Sequence, residues 1–209
     1  MSEQPLSRSA RKRADILAAA EALFLSRGYL GASVDDVARR AQVSKPTVYA
    51  HFGSKEALFV AVVSAMTGDA GDRVHDRRSW KPDDLGDDVA AHLQQYGLRQ
   101  LTVVLEPRLL QLRRLVIGEV PRFPDLAKAL FDGGPARAIT ELSGLIAAYA
   151  ERGVLRVDDP HAAATHFNWM VMGAPLNEAM LLGDEGAPDE LALQRHVTEA
   201  VRIFVAAYS

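Results

Sequence analysis

The sequence predicts an all-α fold, and three observations carry the prediction. Apolar residues recur at helical spacing through most of the chain, at i, i+3, i+4 and i+7. No Asn-Gly or Asp-Gly turn joins two alternating strands; Asp132-Gly133-Gly134 comes nearest, but its flanks keep helical spacing. The punctuation is also that of helices, with Ser or Asp before a run and Gly or Pro after it. At 209 residues and 48 % apolar, the chain is long enough to fill a sizeable core.

The first helix is expected from about Ser9 to Arg27, with Ile16, Ala20, Leu23 and Phe24 on its buried face and Gly28 stopping it. A second begins after Ser33, where Ser33 and Asp36 resemble a capping box, and buries Val34, Val37, Ala38 and Ala41. Gln42-Val43 makes a short turn. Ser44 then caps a third helix, with Pro46 tolerated in its first turn, Val48 and Phe52 facing inward, and Gly53 ending it. Ser54 caps a longer fourth helix, carrying Leu58, Phe59, Val62, Val63 and Met66, which could reach about Ser79. Residues 67–84 are richer in Gly, Asp and Arg, a shift in composition of the kind that marks a boundary. Further helices follow at roughly 85–105, 107–119, 123–131, 135–152, 159–183 and 188–208. Pro121 and Pro124, Gly133-Gly134-Pro135, Gly153, Asp159-Pro160 and the run from Gly183 to Pro188 separate them, and Gly173-Ala174-Pro175 should kink the ninth.

Composition narrows the function classes. Without cysteine there are no disulfides, thiolate metal sites or cysteine nucleophiles. No run of about 18 apolar residues offers a membrane span, and the polar, basic start is unlike a secretory signal, so a cytoplasmic protein is expected. His161 and His166 lie five apart, off the spacing that puts two metal ligands on one helix face; no metal and no cofactor is expected. Nucleophile-elbow, P-loop and dinucleotide motifs are absent, and carboxylate pairs such as Asp35-Asp36 and Asp87-Asp88 sit near helix starts, where they complement the helix dipole. An enzyme is not expected. The net charge of −3 hides an asymmetry: residues 1–55 carry nine Lys/Arg against five Asp/Glu, or +4, which leaves −7 for the rest. A basic N-terminal portion hints at nucleic acid.

The stronger signal is residues 33–59: two short helices and a tight turn, with the second helix able to enter a major groove. Lys45, Thr47 and Tyr49 lie off its apolar face and offer a cation, a hydroxyl with a methyl, and a phenol to phosphates, base edges and thymine methyls. Ser33 and Ser44 stand at helix N-termini, which favour phosphate, and Lys55 opens the fourth helix. The basic run Arg8, Arg11, Lys12 and Arg13 could form an arm along the phosphates or into the minor groove.

The stretch GASVDDVARRAQVSKPTVYAHFGSKEALF resembles the DNA-binding domain of the TetR (tetracycline-repressor) family. Gly28-Tyr29, Val43-Ser44-Lys45 and the run Tyr49 to Glu56 carry the resemblance. It implies a homodimer with an N-terminal three-helix helix-turn-helix domain, here 1–54, and a C-terminal helical bundle for effector binding and dimerisation, here 55–209. It supports Lys45, Thr47, Tyr49, His51 and Lys55 as contacts to double-stranded operator DNA, with Ser33 and Ser44 as capping or phosphate positions. Two departures stand out: Pro46 where glycine is common, still counted with the DNA-facing turn, and Ala50 where a longer side chain is common. The segments LRRLVIGEVPRFPDLAKALFDGGP and GVLRVDDPHAAATHF resemble the AefR-like subgroup.

A ligand-responsive regulator is therefore expected, a repressor released from a near-palindromic operator by a small apolar or amphipathic effector. Control by a protein partner, or activation, are the alternatives. Phe123, Phe131, Phe167, Trp169, Met170, Met172 and Met180 are candidates to line an effector cavity, with His166, Asn168, Asn177 and Glu119 as its polar groups. The last two helices should form the dimer interface, through Met170, Ala174, Val197, Val201 and Phe204.

Overall fold

The computed structural model of the chain describes residues 7–75, 88–183, 186 and 188–209, and every regular element among them is helical. In order these are α1 (Arg8–Gly31), α2 (Val34–Arg40), α3 (Lys45–Phe52), α4 (Lys55–Val74), α5 (Val89–Val104), α6 (Pro107–Glu119), α7 (Pro124–Phe131), α8 (Arg137–Glu151), α9 (Pro160–Leu182) and α10 (Glu190–Tyr208). The expected continuation of α4 to Ser79, the start of the next helix at 85 and part of the loop after Gly183 fall outside the described residues.

The caps explain the helix starts. Ser7, Ser33, Ser44, Ser54, Asp88, Asp159 and Asp189 each accept a backbone N–H from the first turn of the helix they precede. At Ser33 the hydroxyl also donates to Asp36 Oδ2 at 2.7 Å, so the cap and the acid three residues on hold each other through the side chains. Gly28 takes φ 71° inside α1, a backbone that a Cβ resists, so the long helix breaks there as expected although the winding resumes to Gly31. Arg8, Arg11, Lys12 and Arg13 belong to the first turns of α1, so the basic run is part of a helical surface.

The chain groups into two compact units, one made of residues up to Met66 with Gln111–Leu130, the other of Thr67–Leu110 with Phe131–Ser209. The first unit has its core where α1, α2, α3 and α4 meet, with Ile16, Phe24, Val37, Val48 and Phe59 at 2 % exposure or less. Ala41 and Phe52 were expected inside but are half-buried; Phe52 lies at the surface end of α3 with the Arg13 guanidinium 5.0 Å over its ring.

The second unit packs α5, α8, α9 and α10 around a cluster that includes Leu93, Leu142, Ile146, Phe167, Val197 and Phe204. Gly97 lets α5 come close to α10, since a Cβ there would lie 2.8 Å from Val197 Cγ1. Gly133-Gly134-Pro135 lies between α7 and α8 as expected, but not as an open loop: Asp132–Ala136 winds as a π-helical turn leading into α8. Gly133 leaves room for Thr67, because a Cβ there would come 2.6 Å from Thr67 Oγ1.

α9 runs through Pro175, which has no N–H for the Val171 carbonyl one turn back. His196 of α10 supplies the missing donor: its Nε2 lies 2.9 Å from Val171 O and 3.0 Å from Met170 O. Carbonyls only accept, so Nε2 carries the proton. Replacing His196 by Phe, similar in size but without the donor, should cost about 1–3 kcal/mol, measured by urea unfolding.

Candidate nucleic-acid interface

The helix-turn-helix is built by local chemistry. α2 ends at Arg40, and Gln42 takes the left-handed φ of 53° that turns the chain towards α3. A Cβ makes that conformation costly by roughly 1–2 kcal/mol, and the flanking helices must hold it. On α3, Val48 at 2 % exposure anchors the helix, while Lys45, Pro46 and Tyr49 stay exposed and Thr47 and His51 half-exposed. Tyr49 keeps 42 % of its surface open. Thr47 shares a 2.8 Å hydrogen bond with the Ser44 hydroxyl, so the cap also orients the threonine.

Lys45 is not unoccupied: its Nζ lies 2.9 Å from Asp35 Oδ2 on α2. That hydrogen bond, and the charge of Asp35 behind it, hold the ammonium pKa above its usual value. A phosphate must compete with Asp35 for this lysine. Asp35→Asn should therefore tighten binding to random-sequence duplex DNA about threefold or more at low salt, read by fluorescence anisotropy.

Lys55 stands differently from expectation. Its ammonium sits 4.3 Å over the Tyr29 ring, and burial lowers its pKa while Glu119 opposes the shift. Tyr29 in turn stacks on Phe59 at 5.2 Å and meets Phe123 edge-on at 4.6 Å. Burial first, then Glu56 and Glu119, raise the Tyr29 phenol pKa.

Phe123 belongs to this aromatic group. Expected to line an effector cavity, it packs in the first unit against Tyr29. The other effector candidates lie in the second unit, some in its core and some at its surface. Phe167 is fully buried, 5.3 Å from Phe204 in the core, and Met170 and Met180 are half-buried against that core. Phe131, Trp169 and Asn177 are exposed, and His166 is exposed with its Nδ1 3.1 Å from the Tyr208 hydroxyl. The physical reason is helical rotation. α9 turns Phe167, Asn168, Val171 and Leu176 inward, which puts Trp169 and Asn177 on its opposite side. Val197, Val201 and Phe204, expected at a dimer interface, are likewise inside this chain's own core at 5 % exposure or less. Among the described residues there is no cluster of three or more His, Cys, Asp or Glu that could hold a metal.

Residues 16–62 match the family described as bacterial regulatory proteins, tetR family, and residues 91–209 match the AefR-like transcriptional repressor C-terminal domain. An HTH-type transcriptional repressor of Mycobacterium tuberculosis is 31 % identical over 189 residues, 90 % of this chain and 86 % of that protein. The chain belongs to the TetR family. It is a DNA-binding transcriptional regulator, and its helix-turn-helix is the DNA-reading domain. A TetR-family regulator from Mesorhizobium loti shares the fold at a TM-score of 0.89 and 34 % identity, with 98 % of this chain and 100 % of that one covered. The flavonoid-responsive regulator FrrA follows at 0.78 and 30 %, covering 95 % and 97 %. The activator FasR of Mycolicibacterium smegmatis matches over 52 residues only, at 48 % identity, 25 % of this chain and 24 % of that protein.

Sequence reasoning for this TetR-family chain missed Asp35 as the partner of Lys45, and His75 and Gln100 as buried polar groups. The signal for Asp35 was its place in the first turn of α2, where dipole complementation alone accounts for an acid. No described helix is long and apolar enough to cross a membrane.

Proposed function

We propose that this TetR-family regulator is a homodimeric repressor, released from a near-palindromic operator by a small apolar or amphipathic effector. The observation that carries the DNA half is the surface of α3, where Lys45, Thr47 and Tyr49 stand beside a buried Val48. Ser33, Ser44, Pro46, His51, Lys55, Arg8 and Arg11 belong to the same proposed surface, with Lys55 leaving the Tyr29 ring to reach a phosphate. The repressor reading is supported by the full-length Mycobacterium tuberculosis relative, named a repressor. The name of the flavonoid-responsive structural relative supports an aromatic, largely apolar effector. The FasR match keeps activation as a second reading, and operator position relative to the promoter decides between them.

The division of labour follows residues 1–54 for reading and 55–209 for sensing and dimerisation. The dimer contact falls on the outer faces of α9 and α10. Trp169, Leu181 and Ile203 are 45 %, 75 % and 44 % exposed on these helices and would be covered by a second copy. Two readers on one dimer then take half-sites about one helical turn, or a multiple of it, apart.

The test is selection of bound sites from a random duplex library, followed by a salt titration on the recovered sequence. One inverted repeat with affinity falling steeply as salt rises is the expected result. Recovery of no consensus would overturn the proposal. Sedimentation of the DNA-free protein as a monomer at micromolar concentration would overturn its dimeric part.

A further inference from the structure

The second unit carries a ladder of polar side chains through its core. His75, Tyr96, Gln100 and Asn168 are 4 %, 5 %, 3 % and 1 % exposed. Tyr96 and Gln100 lie one turn apart on α5, on the same face. The Tyr96 ring stands 5.7 Å from the His75 imidazole, and its hydroxyl donates to the Ala138 carbonyl at 3.4 Å. Gln100 Nε2 donates to Asn168 Oδ1 at 2.8 Å. Two atoms of the ladder remain: His75 Nδ1 and Gln100 Oε1 are buried with no hydrogen-bond partner among the described residues. Folded proteins rarely bury such atoms unmatched, and a ligand is one of the few reasons to keep them.

We propose that this ladder is the polar part of the effector site and takes a neutral, hydroxyl-bearing apolar molecule. The inference rests on the reading that the C-terminal region senses an effector, and it narrows the class of that effector. A hydroxyl both donates and accepts, so it satisfies His75 Nδ1 in either imidazole tautomer and the outer Gln100 amide atom in either orientation. A carboxylate only accepts, and it would enter a field that already holds Glu141 and Asp72. An ammonium would meet Arg137 and Arg99 in the same field. A plain hydrocarbon leaves both polar atoms unmatched. Burial lowers the His75 imidazole to about 4, so it is neutral at physiological pH and does not favour an anion. Leu93, Leu101 and Leu142, in the same cluster, suit an apolar body.

The test uses the full chain without DNA and four probes that share one tail: hexylresorcinol, hexylphenol, hexylbenzoate and hexylbenzene. Calorimetric titration should show the two phenols binding about tenfold tighter than the benzoate or the hydrocarbon. Gln100→Met and His75→Phe, each checked for helical content by circular dichroism, should lose that preference. His75→Phe should also raise the melting temperature of the ligand-free chain, because it removes a buried polar atom and keeps the ring against Tyr96; a purely structural histidine would lower it. Equal binding of all heads, preference for the carboxylate, binding of none of the probes, or a hydroxyl preference that survives in both variants would each overturn the proposal. DNA release is scored separately on the selected operator. Phenols that bind through the ladder without releasing DNA would uphold the site and sink the effector reading. Release by a compound indifferent to both substitutions would do the reverse.

Discussion

Replacing Tyr49 by alanine should weaken operator binding by about ten- to a hundredfold and leave the fold unchanged. The side chain is 42 % exposed on α3, beside Val48, which does the anchoring at 2 %. Little packing is lost, whereas the phenol's contact with a base edge or phosphate is lost outright. Lys45→Ala should act differently. A phosphate contact is worth a similar amount on any sequence, so its loss should lower affinity for operator and random DNA alike and reduce the salt slope by about one. The pair of substitutions thus separates reading from gripping. Binding titrations at several salt concentrations, on the selected operator and a scrambled duplex, measure both. A Tyr49→Ala protein that binds operator as tightly as the parent would remove α3 from its proposed role.

Phe59→Ala should destabilise the N-terminal unit by about 3–5 kcal/mol, enough to abolish DNA binding at moderate temperature. Phe59 is fully buried, its ring 4.6 Å from Phe24 and 5.2 Å from Tyr29. Tyr29 continues the cluster to Phe123 and holds the Lys55 ammonium over its face. Removing the central ring therefore opens a cavity bordered by stiff aromatic neighbours, which cannot collapse into it as aliphatic ones would. Chemical denaturation followed by circular dichroism should show an early transition for the helices of this unit. Phe59→Leu should fall between the two, because it restores most of the apolar volume.

The reader domain was legible because its signals are local. Caps at Ser33 and Ser44, the stop at Gly28 and the apolar spacing of Ile16, Ala20, Leu23 and Phe24 all act within a few residues of themselves. What escaped depends on the rotation of whole helices. α9 is apolar nearly all round, so spacing alone does not say whether Phe167 or Trp169 faces the core; packing against α8 and α10 decides it. Val197, Val201 and Phe204 have an interface-like pattern for the same reason, and the chain's own core claims them. Gln100 carries a readable signal in hindsight: it follows Leu93 and Tyr96 on the inward stripe of α5, where a polar residue needs a partner. His75 has no such mark, because its burial comes from elements far along the chain.

The hydrogen bond from His196 into α9 has an evolutionary corollary. Pro175 creates a demand and His196 meets it, so neither residue is worth much alone. In descendants that exchange Pro175 for an ordinary residue, Val171 regains its own helical donor and position 196 is released to drift. Among proteins of this shape the two positions should be inherited and lost as a couple, and their joint history would record whether the proline came before or after the histidine that compensates it.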